Sequence, residues 1–166
     1  YGPAEEKSAH TICDLHEADL EPQLVFLSEG RVDEAGALLG HPYVIDGDVV
    51  QGAQRGRTIG FPTLNIQTDN ELLPPNGVYV TTVTLDSIAY QSVTNIGVRP
   101  TIDQTGRVQV ESHLFDFDRD VYGRRVRVGF VQRLRDEQAF PSLEALRTQI
   151  GADCEAARVL FGRLSL

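Results

Sequence analysis

The chain has 166 residues with 15 Lys+Arg against 24 Asp+Glu, a formal charge of −9 at pH 7. That length suits one domain with a small appendage, burying roughly 70% of its unfolded surface. The acidic balance repels nucleic acid and anionic membranes, so binding a polyphosphate has to rely on local donors and a cation. No apolar run approaches the roughly 18 residues of a membrane span, and no basic-then-apolar secretion pattern opens the chain. Cys13 and Cys154 form no dense cysteine framework, and a reducing cytoplasm is the expected location.

Residues 1 to about 22 are polar and acidic and read as a tail or linker. Their His10, Cys13 and His16 lack the spacing of a four-ligand structural zinc site, so a polar tail is the better reading. Leu24 to Leu39 carries helix formers, is divided at Gly30, and stops at Gly40 with Pro42 beyond it. Residues 1–40 are thus expected to be a tail and linker helix, and residues 41–166 the folded domain. Short β-branched runs follow, predicting strands over Val44–Gln51, Thr63–Gln67, Val78–Leu85, Ile88–Asn95, Val108–Phe117 and Arg124–Leu134. Asp86-Ser87 fits a tight hairpin, and Pro74-Pro75-Asn76-Gly77 a firm turn. Strands at this spacing without intervening helices predict an antiparallel barrel or sandwich. After Pro141, apolar residues from Leu143 to Leu160 recur at helical intervals, with Ser142 as N-cap and Glu144 at the positive end.

The run from Gly52 to Asn65 carries the densest chemistry. Gly52, Gly56 and Gly60 permit sharp turns and a close approach of backbone amides to an anion. Arg57 adds a cation. Thr63 and Asn65, two residues apart, point to one face of an extended strand and offer a hydroxyl and an amide oxygen, hard ligands suited to Mg²⁺ shared with phosphates. No Gly-Lys-Ser/Thr follows the glycines and Pro62 bars a helix there, so this is neither a Walker loop nor a Rossmann turn.

In the strand over Val108–Phe117, alternation puts Val110, Ser112, Leu114 and Asp116 on one face and Glu111 with His113, Phe115 and Phe117 on the other. A carboxylate in such partly apolar surroundings is expected to have its pKa pushed upward, toward general-base duty. A solvated carboxylate on an edge strand is the plainer reading from spacing alone. Asp116, Asp118 and Asp120 with Arg119 read as a charged, solvated turn.

The ordered set Gly52, Gly56-Arg57, Gly60, Pro62-Thr63 and Asn65 resembles the signature of the riboflavin kinase family. The likeness continues through Val93–Thr101, Val110–Phe117 with Asp120–Gly123, and Leu134–Phe140. It implies a six-stranded antiparallel Greek-key β-barrel, mainly β, with the C-terminal helix packed outside and a short N-terminal helical extension. It also implies transfer of the γ-phosphoryl group of ATP to the ribityl 5′-hydroxyl of riboflavin, giving FMN and ADP. Glu111 is then the catalytic base. Gly52, Gly56, Arg57, Gly60, Pro62 and Thr63 would contact ATP, with Leu114, Asp116 and Tyr122 on its adenine side. Thr63 and Asn65 would hold Mg²⁺ or another divalent cation, and Arg135, Gln138 and Phe140 would face the flavin.

Gly30–Tyr43 resembles the junction of a bifunctional enzyme whose other module is an adenylyltransferase. That module's nucleotide-binding motif is not found, so either a shortened C-terminal module or a chain that has lost its partner domain is expected, making FMN without FAD. Small-molecule substrates are the expected partners, with no nucleic acid and no membrane. An inactive flavin- or nucleotide-binding carrier is the competing reading, and a nucleic-acid module is disfavoured by charge.

Overall fold

Six antiparallel strands close on themselves in the order β1-β2-β5-β4-β3-β6. They are β1 (Tyr43–Val50), β2 (Leu64–Thr68), β3 (Gly77–Leu85), β4 (Ile88–Val98), β5 (Val108–Leu114) and β6 (Arg125–Arg135). The structure, a computed structural model, describes residues 17–52, 55–98 and 108–164, without the side chains of 17–21 and 55–56. β3, β4 and β5 are sequential neighbours and β6 returns beside β3, which is the Greek-key order. Closure leaves no bare sheet edge.

Helices α1 (Glu17–Ser28) and α2 (Val32–Leu39) precede the barrel, a single turn α3 (Arg55–Thr58) follows β1, and α4 (Leu143–Leu164) ends it. Gly30, at φ +78, separates α1 from α2. Gly40, at φ +79, caps α2 by donating its N–H to the Gly36 carbonyl. α1 begins earlier than the sequence pattern predicts and contains Pro22, which removes one helical donor but adopts the helical φ. The His10, Cys13 and His16 cluster lies outside the described residues. Asp86 and Ser87, both at positive φ, make the β3–β4 hairpin, the backbone that a primed turn needs. Ser142 Oγ accepts from the Ala145 N–H at 3.1 Å and caps α4 as expected.

Interior packing follows the period of two. Tyr43, Ile45, Val49, Ile66, Tyr79, Ile96, Val110, Val128 and Phe130 fill the barrel, and Leu27, Val32 and Ala35 of the N-terminal helices continue the same cluster. β3 is buried on both faces, because Val78 and Val80 turn outward against Cys154, Ala157 and Phe161 of α4. Each such side chain contributes about 1.5–3 kcal/mol of burial. Burial pushes the free Cys154 thiol up to about 11, aided by neighbouring Asp153 and opposed by Arg158.

Four hydroxyls sit in this apolar interior with no exposure: Thr81, Ser92, Thr94 and Ser112. They form a chain across β3, β4 and β5, with Thr81 2.7 Å from Ser92 and 2.6 Å from Thr94, and Thr94 2.6 Å from Ser112. Buried polar groups of this kind are stable only while mutually satisfied. Replacing Thr94 by Val strands the Ser112 hydroxyl, which should cost about 1–3 kcal/mol in urea unfolding. Adding Ser112→Ala should then cost less than the sum of the two single changes; strict additivity would show that the chain is not a coupled network.

Candidate functional site

Register decides what meets outside the barrel wall. Asn65 of β2 lies opposite Glu111 of β5, and Glu111 opposite Asn95 of β4. Asn95 pairs in turn with Val78, and Val78 with Arg135. Directly opposed residues project to the same face, so Asn65, Glu111, Asn95, Val78 and Arg135 form one row around the outer wall.

Two cavities flank this row. The larger, about 540 Å³, is lined by Phe61, Val78, Val93, Phe140, Leu146 and Ile150 among apolar residues, and by Thr63, Asn95, Glu111, His113, Arg135, Glu137, Gln138 and Asp153 among polar ones. The smaller cleft, about 60 Å³, is bordered by Arg57, Pro62, Thr63, Leu64, Ser112, Leu114 and the turn Phe117–Tyr122. Thr63 borders both. One side chain thus borders both a wide, largely apolar pocket and a narrow, charged one.

The β1–β2 loop is held against the wall at several points. Gly60, at φ +86, reverses the chain behind α3 and donates to the Arg57 carbonyl. Gly56 falls within α3. Gly52 is needed for closeness rather than for positive φ, since a Cβ there would sit 2.2–2.4 Å from the Asn65 carboxamide. His113 Nδ1 lies 2.7 Å from the Pro62 carbonyl, which can only accept, so Nδ1 carries the proton. The His113 ring stands edge-on to Phe61, 5.4 Å between centroids.

On the opposite rim, Arg135 is engaged chiefly by protein. Its Nε and Nη2 donate to the Asp153 carboxylate at 3.0 and 2.8 Å, and its Nη1 donates to the Asp136 carbonyl at 3.0 Å. Its guanidinium also lies 5.7 Å from the centre of the Phe140 ring. Asp153, only 5% exposed, accepts a further bond from Gln149 Nε2 at 3.0 Å. Arg135 therefore ties α4, the start of the 136–142 loop and the loop's aromatic ring together.

Most of the residues read from the sequence converge here. Glu111, Thr63, Arg135, Gln138 and Phe140 line the large cavity; Arg57, Pro62, Thr63, Leu114 and Tyr122 line the cleft. Asp116 does not join them. β5 ends at Leu114, and Asp116 sits at φ +53 in the following turn with its side chain 88% exposed, 3.8 Å from Arg158. The same turn returns Phe117 toward the interior cluster, so strand alternation does not carry it to the Glu111 face. Sequence reasoning missed Asn95, Glu137 and Asp153 as lining residues. Asp153 carried a readable signal, an acidic residue on the apolar stripe of a predicted helix.

Residues 39–161 match the riboflavin kinase family. A Pseudomonas fluorescens bifunctional riboflavin kinase/FMN adenylyltransferase is 46% identical over 81% of this chain and 43% of its own length. The chain thus spans less than half of that relative. Among solved structures, riboflavin kinase from Trypanosoma brucei aligns with a TM-score of 0.55 and 27% identity over 75% of this chain and 83% of that one. A Streptococcus pneumoniae chain described as a macrolide-efflux protein aligns with a TM-score of 0.78 and 38% identity, over 83% of this chain and 45% of that one.

Asp153→Ala leaves the Arg135 guanidinium uncompensated beneath α4. It should cost about 3 kcal/mol in chemical denaturation, whereas Asp136→Ala, at an exposed position, should change stability by less than about 0.5 kcal/mol. Equal effects would show that Arg135 does not depend on the buried pair.

Proposed function

The chain belongs to the riboflavin kinase family, and from that premise we propose that it transfers the γ-phosphoryl group of ATP to the ribityl 5′-hydroxyl of riboflavin, as an ATP:riboflavin 5′-phosphotransferase. The observation that carries the reading is the position of Glu111. It lies in register between Asn65 and Asn95, on the wall of the large cavity that Thr63 also lines.

The division of the cavities supports the assignment of ligands. A pocket of about 540 Å³ with an apolar, aromatic lining is in the range that holds a fused ring system. Phe140 and Phe61 supply area for the flavin, and Arg57 with the loop amides faces the nucleotide's phosphates. Tyr122 and Leu114 border the adenine side. Glu111 accepts the proton of the attacking hydroxyl, and positioning with charge neutralisation supplies most of the rate, as in other phosphoryl transfers.

A divalent cation fits the donor set. Thr63, just ahead of β2, offers a hydroxyl and Asn65, within β2, an amide oxygen; the Asn65 carboxamide packs directly on Gly52, where a Cβ would displace it. Mg²⁺ held by this pair would neutralise charge on the phosphate oxygens. We place the reaction in the cytoplasm, where ATP is supplied.

Incubation with riboflavin, ATP and Mg²⁺ should yield FMN, and Glu111→Gln should lower kcat by about 100-fold or more while riboflavin still binds. Asn65→Ala should lower activity and raise the Mg²⁺ concentration required; chelation should abolish turnover reversibly. Riboflavin binding without FMN from the unaltered protein would mark it as a carrier instead.

A further inference from the structure

Beside the catalytic row lies a third, small cleft of about 50 Å³, bordered by Asn95, Gly97, Gln109, Glu111 and Glu137. Among the described residues, every side chain on that border other than glycine carries oxygen acceptors. Two of these oxygens, Asn95 Oδ1 and Gln109 Oε1, are buried and have no hydrogen-bond partner among the described residues. Gly97 belongs to the same arrangement: a Cβ there would come within 2.1 Å of the Glu137 carboxylate, so the glycine keeps that side chain at the cleft.

An unpartnered buried carbonyl is costly, and its retention in a ligand cavity points to a group that a ligand satisfies. A cleft edged by acceptors calls for a ligand that brings donors. Asn95 borders both this cleft and the large cavity, and it neighbours Glu111 directly across the β4–β5 ladder. A chain bearing several hydroxyls, running from the apolar pocket toward Glu111, passes Asn95 before its terminal hydroxyl reaches the carboxylate.

We propose that Asn95 is a further substrate-contacting residue, whose carboxamide oxygen accepts a hydrogen bond from a secondary hydroxyl of the polyol chain. The inference rests on the riboflavin reading above and deepens it, since it makes the cleft the element that distinguishes a polyol from a plain alkyl alcohol. A site built to bond a hydroxyl rejects the analogue lacking it, because its own polar group is then left unpaired. Because Oδ1 is already unpartnered in the free protein, removing it does not weaken the fold. A purely structural asparagine would behave in the opposite way.

The test is a fluorescence titration of the full chain with two flavins: riboflavin, and the same ring bearing an ω-hydroxypentyl chain that keeps the terminal hydroxyl and lacks the secondary ones. The unaltered protein should bind riboflavin about tenfold more tightly than the analogue. Asn95→Leu, close in size, should bind both equally, with an unchanged or higher melting temperature; Asn95→Ala should repeat the result if the leucine variant folds poorly. Preference for riboflavin should persist in EDTA, and its loss there would assign the cleft to a cation and overturn the proposal. Equal weakening of both ligands, or a melting temperature lowered in both variants, would also overturn it. Riboflavin binding without FMN formation would sink the kinase reading alone, while no riboflavin binding would sink both.

Discussion

Antiparallel pairing of β2, β5 and β4 in a single register places Asn65, Glu111 and Asn95 side by side on the outer wall of the barrel. A slip of one residue would turn these side chains inward and bring Val110 and Ser112 out. The interior resists that slip. Val110 belongs to the apolar cluster, and Ser112 is bonded to Thr94 inside it; an exchanged register would bury a carboxylate where hydroxyls and hydrocarbon now sit, a change far costlier than any surface ion pair repays. The hydroxyl chain thus helps fix which residues face the outer wall.

Around that fixed wall, the functional segments are loops with separate anchors. The β1–β2 loop is held by His113 to the Pro62 carbonyl and by the fit of Gly52 against Asn65. The loop after β6 is held by Arg135, which spans Asp153, Asp136 and Phe140. Gln138 and Leu143, which line the large cavity, are exposed, while Asp153 is buried.

Local pattern reached much of this from the sequence. Helical intervals after Pro141, the Ser142 cap, the Gly40 stop and the Asp86-Ser87 hairpin are short-range features, and each is set by chemistry within a few residues. Closure of the barrel is not local: strand runs alone left barrel and sandwich open, and the resemblance to a known family was what implied the barrel. Glu111 was placed on its outward face by alternation, yet Asn95 was missed, because its place beside Glu111 depends on the β4–β5 register and not on anything in its own strand. The faces read for Asp116 and Phe117 by alternation do not hold, for a related reason. Alternation holds only while the strand lasts, and a positive-φ turn ends it two residues after Leu114.

The most direct test is a crystal structure with ADP, Mg²⁺ and FMN bound. The row described here predicts the FMN phosphoester oxygen within about 3 Å of the Glu111 carboxylate, the cation between Thr63 and Asn65, and the flavin ring against Phe140. A phosphate lying away from Thr63, with Glu111 facing solvent, would contradict the account.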